Sequence, residues 1–183
     1  MAYNINPDAF GAAWFVDRIE WVDTADAEMA ALDSTDLRHV AVVDKFFQSL
    51  LPTYQPISTP LGADSLSSTS SVTLQSYTPS EAKYQVETKE PRLLVFSEIY
   101  YPHGWHLRID GDKELPLLRA NYTLRAAYIP AGKHELMMVF DPKSIHTTET
   151  VASISTGVLL LLLLSAFLAP LLQRKRKGVN TAS

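Results

Sequence analysis

The hydrophobic positions of the chain form short runs up to residue 149 and one long run after it. Short runs that are rich in β-branched and aromatic residues and separated by turn residues are typical of strands. They cover residues 13–22 and 39–43, and then residues 71–79, 81–88, 92–99, 105–109, 114–118, 122–129 and 133–140. Because the second series has hairpin spacing, it predicts a mainly β fold with an antiparallel β-sandwich over residues 72–149.

One strand of this series alternates clearly between apolar and polar positions. Ala82, Tyr84 and Val86 are separated by charged or amide residues, so one sheet face is predicted to be apolar and the other to meet water. Tight turns between such strands need residues that adopt positive or preset φ angles. The residues that would supply these turns are Gly104, Asp110, Gly111, Pro130 and Gly132.

Residues 1–57 predict a short strand–helix–strand segment that precedes the sandwich. Thr24 can cap the helix, and Glu28 suits its first turn because of the helix dipole. Met29 and Leu32 would give this helix its apolar side.

Composition marks two further segments. Residues 58–71 are rich in Ser, Thr, Gly and Asp, which predicts a loop or linker. Residues 150–173 contain no ionisable side chain. As a helix they would measure about 36 Å, enough to cross a hydrocarbon core of about 30 Å. Because lipid offers the backbone no hydrogen-bond partner, one transmembrane α-helix is predicted here, with the lipid bilayer as its partner.

The charges divide at the same place. Residues 1–149 hold 12 basic and 20 acidic residues, a net charge of −8, whereas the remaining chain holds four basic residues and no acid. Those four follow the apolar run directly and are Arg174, Lys175, Arg176 and Lys177. The positive-inside rule predicts that residues 174–183 form a cytoplasmic tail and that residues 1–149 are periplasmic or extracytoplasmic.

The first thirty residues lack the basic region followed by an apolar region that marks a signal peptide. A domain that is translocated ahead of its own C-terminal helix needs an earlier export signal, so we expect the natural chain to begin well upstream and to cross the membrane several times. The alternative is a tail-anchored protein with a cytosolic domain, which would carry the basic tail across the membrane against the charge rule.

Other chemistry is sparse in the sequence. An acidic domain excludes a nucleic-acid binder with an extended basic face, and the absence of cysteine excludes a disulfide-stapled scaffold. His103 and His106 are close enough to suggest a metal site, but the further ligands that zinc needs are missing. We therefore expect no metal, no cofactor and no catalytic residue in this segment.

The most distinctive constellation is aromatic. Its members are Trp105, Tyr101 and Tyr122, with Arg119 nearby in the sequence. Aromatic faces beside a guanidinium can stack on a sugar ring or meet a lipid phosphate, so these four residues are a candidate site for a glycan or a polyprenyl-linked sugar. The alternative is that they belong to the core of the sandwich, with their polar ends at its rim.

Four motifs occur in a fixed order. They are GAAWFV at residues 11–16, YYPHGWHLRIDG at 100–111, LRANYTLRA at 118–126 and IPAGKH at 129–134. In this order they resemble the C-terminal part of the YfhO family of bacterial membrane proteins, in the style of its Bacteroidetes members. The likeness covers roughly residues 10–175.

The resemblance implies a polytopic protein of the bacterial inner membrane, with many helices before an extracytoplasmic β-domain and a last helix. The family is similar to cell-envelope glycosyltransferases that use polyprenyl-phosphate sugars, and its acidic catalytic residue would belong to an early loop outside this chain. We therefore expect this segment to be non-catalytic and to contact the upstream transmembrane helices. The alternative is a single-pass, membrane-anchored module that binds envelope glycan or acts as a scaffold.

Overall fold

The structure, a computed structural model, describes residues 9–51, 70–111 and 113–179, with the backbone alone for 143–147 and 167–179. The predicted linker at 58–71 lies outside the described residues except for its last two positions. The chain forms two compact units, Met1–Asp141 and Pro142–Ser183. The first unit is mainly β and the second holds one long helix, so the predicted fold class is confirmed.

The elements of the described residues follow in chain order. The N-terminal ones are β1 (Ala13–Val16), β2 (Arg18–Val22), α1 (Ala25–Ala31), β3 (Val40–Asp44) and a 3-10 helix (Lys45–Leu50). The central ones are β4 (Ser70–Thr78), β5 (Glu81–Thr88), β6 (Arg92–Ile99) and β7 (Trp105–Ile109). The last ones are β8 (Lys113–Leu115), β9 (Leu118–Ala120), β10 (Leu124–Ile129), β11 (Gly132–Phe140) and α2 (Lys143–Val179).

Two antiparallel sheets pack face to face. One sheet has the order β1-β6-β10-β9 and the other has the order β4-β5-β11-β7-β8. The core between them contains Tyr84, Phe96, Leu107, Ile129 and Met138, all at most 3% exposed. The alternation predicted for β5 is confirmed, because Ala82, Tyr84 and Val86 face this core.

A third layer covers the outer face of the four-stranded sheet. It consists of the parallel pair β2–β3, helix α1 and the 3-10 helix. A second core between this layer and the sheet includes Val16, Val43, Phe47, Val95 and Leu118. The four-stranded sheet is therefore buried on both faces.

Burial on both faces explains why β6 is a continuous apolar run. Leu94 and Phe96 belong to the core between the sheets, whereas Leu93 and Val95 belong to the second core. A strand with water on one side would alternate instead. The run in β6 is therefore the sequence signature of a middle layer.

Two runs that the sequence predicts as single strands are each divided in the structure. Residues 13–22 form β1 and β2, which belong to different sheets, with Asp17 between them. Residues 114–118 fall partly in β8 and partly in β9, again in different sheets. The second break lies at Pro116, whose ring lacks the N–H that a ladder requires.

Helix α2 contains one stretch long and apolar enough to cross a membrane. This stretch is Thr148–Ala166, 19 residues with a mean hydropathy of 1.8. At the helical rise it measures about 28 Å, close to the thickness of a hydrocarbon core. Its hydroxyls donate one turn back, from Ser155 to Val151 O and from Thr156 to Ala152 O, both at 2.8 Å. These polar side chains therefore have hydrogen-bond partners inside the helix.

Candidate functional site

The Trp105 cluster, formed by Trp105, Phe140 and Arg125, lies at the end of the sandwich where β7 begins. Trp105 and Phe140 are register partners of β7 and β11, and their ring centroids are 5.1 Å apart. The guanidinium carbon of Arg125 lies 3.9 Å from the centroid of the Trp105 ring. One face of that ring is therefore already covered by a cation, which removes it as a stacking surface for a sugar.

Arg125 is only 4% exposed, and two of its nitrogens donate to partners within the protein. Nε donates to the carbonyl oxygen of Ile99 at 2.8 Å, and Nη1 donates to Sδ of Met138 at 2.9 Å. Burial lowers the pKa of Arg125, and the negative charge of Glu98 acts against this shift. Burial, followed by the charge of Glu98, raises the pKa of Tyr84 to about 12. These charged and polar groups thus interact with one another inside the fold.

Tyr101 lies on the loop between β6 and β7. Its side chain is 52% exposed, and its ring meets the ring of His103 edge-on at 5.6 Å. Gly104 ends the loop with a φ of +92°, and its carbonyl oxygen accepts from the backbone N–H of Asp141 at 2.6 Å. Of the four candidate contact residues, Tyr101 offers the most exposed aromatic ring.

A second polar group, the Glu28 cluster, joins helix α1 to β9 and the turn after it. It consists of Glu28, Arg119 and Tyr122. Glu28 is fully buried; its Oε2 accepts from Nη2 of Arg119 and its Oε1 accepts from the backbone N–H of Tyr122, both at 2.8 Å. A buried carboxylate needs such donors, because it has lost its water.

The turn after β9 presents its backbone N–H groups to the third layer. Asn121 and Tyr122 have φ angles of +49° and +68°, in the left-handed region. The backbone N–H of Asn121 donates to Val42 O at 2.8 Å, and its Oδ1 accepts from Val42 N at 2.9 Å. Asparagine tolerates this backbone conformation better than most residues.

The apolar side predicted for helix α1 is wrong at Met29, which is 47% exposed. The residue that α1 buries instead is Glu28, because Arg119 and the backbone of Tyr122 satisfy its charge. The predicted capping of α1 is confirmed, since Oγ1 of Thr24 accepts from the backbone N–H of Ala27 at 3.1 Å.

The four candidate contact residues are distributed over three environments. Arg119 and Tyr122 lie together, with the guanidinium carbon 5.7 Å from the ring centroid, and share the Glu28 cluster. Trp105 packs against the core between the two sheets, under Arg125. Tyr101 meets His103 on the loop. Sequence reasoning missed Glu28 as the partner of Arg119 and Tyr122, because Glu28 lies 91 positions before Arg119 and no local spacing connects the two.

The predicted turn residues Asp110 and Gly111 follow β7 with φ angles of +50° and +104°. Oδ2 of Asp110 lies 2.6 Å from Nδ1 of His134, and Oδ1 accepts from the backbone N–H of Glu135 at 3.0 Å. The hydrogen bond with His134, followed by that from Glu135, lowers the pKa of Asp110. Nε2 of His134 lies 3.2 Å from the carbonyl oxygen of Ala131, so both ring nitrogens face acceptors. The His134 ring therefore connects the turn after β7 to the turn before β11.

The other predicted turn residues lie close by. Pro130 and Ala131 connect β10 to β11, and Gly132 opens β11 with a φ of +133°. A Cβ at Gly132 would come 2.8 Å from Nε2 of His134. Asp112, which follows Gly111 in the sequence, lies outside the described residues.

Two further histidines also pair with single carboxylates. Nδ1 of His39 lies 2.7 Å from Asp17, and Nδ1 of His106 lies 2.7 Å from Glu114. Within the part of the chain that the structure describes, no group of three or more His, Cys, Asp or Glu side chains could hold a metal ion. His39, His106 and His134 thus each pair with one carboxylate on a neighbouring strand or loop.

The outer face of the five-stranded sheet carries a shallow groove of about 240 Å³. Its lining residues are Ser71, Thr73, Gln85, Val86, Glu87 and Lys133. Lys133 and Glu87 form an ion pair at 3.2 Å across it. The lining contains no aromatic ring, so the groove lacks the stacking surface that sugar rings favour.

No protein-family model, curated protein or solved structure matches the chain. Its own geometry offers a three-layer β-unit with internally paired charges, an exposed aromatic ring on the loop before β7, and a helix able to cross a membrane. Any function must be consistent with these three features.

Proposed function

We propose that this chain is the extracytoplasmic β-domain and last transmembrane helix of a YfhO-like polytopic membrane protein of the bacterial inner membrane. In this proposal the segment is a non-catalytic part of a cell-envelope glycosyltransferase that uses polyprenyl-phosphate sugars. The observation that carries it is a folded β-unit followed, after Asp141, by a helix with an apolar stretch of 19 residues.

The charge distribution supports the direction of insertion. Arg174, Lys175, Arg176 and Lys177 follow the apolar stretch and belong to helix α2, whereas the unit before it carries the excess of acidic residues. Basic residues beside a span remain on the cytoplasmic side. The β-unit then faces the periplasm or exterior.

The internal pairing of charged groups supports a non-catalytic role. Glu28 is fully buried and is engaged by Arg119 and a backbone N–H. A general base or nucleophile needs a free lone pair beside space for a substrate. Glu28 instead joins helix α1 to β9 and the turn after it.

Cysteine accessibility tests the topology cleanly, because the chain has no cysteine of its own. We expect Lys89→Cys, in an exposed turn of the β-unit, to react with a membrane-impermeant maleimide in intact cells. A cysteine added after Ser183 should react only after permeabilisation. The reverse pattern would place the β-unit in the cytosol and refute the proposal.

The size of the natural protein tests the YfhO-like assignment separately. Antibodies against the β-unit should detect, in membranes of the source cells, a chain much larger than the 20.4 kDa of this sequence. A membrane band at 20.4 kDa alone would contradict a polytopic parent and leave a single-pass anchored domain.

The exposed ring of Tyr101 favours one alternative, an anchored module that binds envelope glycan. If this is its role, Tyr101→Ala should abolish binding of the full chain in detergent to an envelope glycan array. Trp105→Ala is the matched aromatic control: it should weaken folding more than sugar contact, because Arg125 covers one face of its ring. A folded chain that binds no glycan would exclude this alternative.

A further inference from the structure

One end of the β-unit carries large apolar side chains in solvent. Tyr77 is 58% exposed, Ile99 is 71% exposed and Tyr101 is 52% exposed. We call these three residues the exit surface, because the chain leaves the β-unit at the same end. Exposed large apolar groups grouped at one place mark an interaction site more often than single ones do.

Backbone contacts locate the three residues at one end. Tyr77 lies one residue before the end of β4, and Ile99 ends β6. The turn after β4 meets the last residue of β11, since the backbone N–H of Phe140 donates to Ser80 O at 2.8 Å. The loop that carries Tyr101 also ends there, because the backbone N–H of Asp141 donates to Gly104 O at 2.6 Å.

The length of chain after Asp141 limits how far a membrane can be. Helix α2 begins at Lys143, and its apolar stretch begins at Thr148. Five residues of helix rise about 8 Å. The headgroup layer on each side of a bilayer is itself about 5–8 Å thick. If the apolar stretch is in the hydrocarbon core, the end of the β-unit from which the chain departs must therefore lie at or near the headgroups.

The turn between β5 and β6, at the opposite end of the β-unit, exposes Lys89 and Glu90, which are charged. The exit surface instead combines tyrosines with an isoleucine. Tyrosine is enriched where membrane and water meet, because its ring is apolar and its hydroxyl can remain hydrated.

We propose that the exit surface of the β-unit lies in the lipid headgroup region of the bilayer that α2 crosses. This inference rests on the proposed function only in that α2 must span a membrane. It adds a second attachment, in which Tyr77, Ile99 and Tyr101 hold the β-unit against the lipid surface.

The test uses the full chain in phosphatidylcholine vesicles that contain no other protein. A single fluorophore is attached to Ser80→Cys, in the exposed turn beside the exit surface, or to Lys89→Cys at the opposite end. We expect iodide in the water to quench the probe at position 80 severalfold less than the probe at position 89. A spin label on the lipid headgroups should quench position 80 strongly and leave position 89 almost unchanged.

A second variant tests whether the side chains of the exit surface, and not merely the short connection to α2, protect position 80 from iodide. Ile99→Ser combined with Tyr101→Ser should restore iodide access at position 80, while circular dichroism and the signal at position 89 remain as before. The control is Lys89→Ser combined with Lys133→Ser, which removes two exposed charges elsewhere and should leave position 80 protected.

Each outcome decides the inference. Equal iodide access at positions 80 and 89, with the chain resistant to alkaline extraction, would refute the lipid contact while leaving membrane insertion intact. Protection that persists in the double serine variant would show that the exit surface is not its cause. Protection of position 80 in native membranes but not in these vesicles would identify a protein partner in place of lipid. A chain that alkaline carbonate extracts would refute both the spanning helix and this inference.

Discussion

Replacing Glu28 tests whether a buried ion pair attaches the third layer to the sandwich. Glu28 is fully buried and accepts from Arg119 and from the backbone N–H of Tyr122, both at 2.8 Å. Glu28→Ala leaves both donors without their acceptor, and the Tyr122 N–H is part of a turn that cannot easily move. Glu28→Gln keeps the shape but presents an amide group and no charge.

The magnitude follows from these contacts. Removing one partner of a buried ion pair costs about 3–5 kcal/mol. Arg119 is 27% exposed and keeps Asp44 at 4.0 Å, so Glu28→Ala should lower the free energy of unfolding by about 3 kcal/mol, the lower end of that range. A hydrogen bond to a charged group contributes about 1.5–3 kcal/mol, and Glu28→Gln should cost about one such bond. Glu20→Gln is the matched control, since Glu20 is exposed and accepts from the Thr35 hydroxyl at 3.2 Å. Its cost should remain below about 0.5 kcal/mol.

The assay is urea unfolding of the full chain in detergent, monitored by tryptophan fluorescence. Glu28→Gln, Arg119→Met and the double variant form a cycle that measures the coupling between the two side chains. We expect a coupling energy of about 1–2 kcal/mol, within the range for residues in direct contact. Additive effects, or a Glu28→Ala variant as stable as the Glu20→Gln control, would refute the argument that this pair fixes the layer.

Three other substitutions test single contacts by the same unfolding assay. Because burial raises the pKa of Tyr84 from 10.0 to about 12, the folded state holds its proton longer than the unfolded state, and stability should fall as pH rises from 10 to 12. Tyr84→Phe should remove about 3 kcal/mol of that fall, and an unchanged alkaline profile would contradict it. The pKa of Asp110 is lowered from 3.8, so its contribution to stability is present above that pH and is lost as pH falls through the lower folded value. Asp110→Asn should therefore destabilise the protein at neutral pH and much less at acid pH, where the folded state also holds the proton. An equal loss at both would count against the His134 contact. Gly132→Ala should lower the free energy of unfolding by about 1–3 kcal/mol, because of the positive φ and the approach of its Cβ to His134. The loss should be larger than for Gly111→Ala, whose Cβ meets nothing within 4 Å. Equal losses would show that the His134 contact adds nothing.

Much of the fold was predictable because strand periodicity and turn chemistry are local. The β5 pattern gave the correct inward face, and the Thr24 cap gave the start of α1. The break at Pro116 has a local signal, because proline lacks the N–H that a ladder requires. The apolar residues around it nevertheless favoured one continuous strand. At Asp17, where the other run breaks, the carboxylate accepts from Arg92, 75 positions away, at 2.7 Å. No pattern within a window of residues 13–22 reveals that partner.

The candidate site was less predictable, for the same reason. Aromatic and basic residues that are close in sequence suggested one surface, but strand alternation and the division between sheets separate them. Trp105 packs against the core between the sheets, whereas Arg119 is drawn to Glu28 beside the other face. Composition could identify the residue types; only the order of strands in the two sheets decides which of them meet.

The polar contacts of the third layer explain why that layer joins the sandwich at a defined position. Apolar contacts are not directional, so the second core alone would allow the β2–β3 pair to slide along the four-stranded sheet. Asn121 prevents this, because its backbone N–H and its Oδ1 bind both backbone groups of Val42 as a neighbouring strand would. Glu28 fixes a second point through Arg119, so two polar contacts set the position while the apolar residues supply most of the stabilisation. Residues 18–50 are therefore an integral layer of the β-unit, and a variant without them would expose the second core and leave the backbone of residue 121 unpaired.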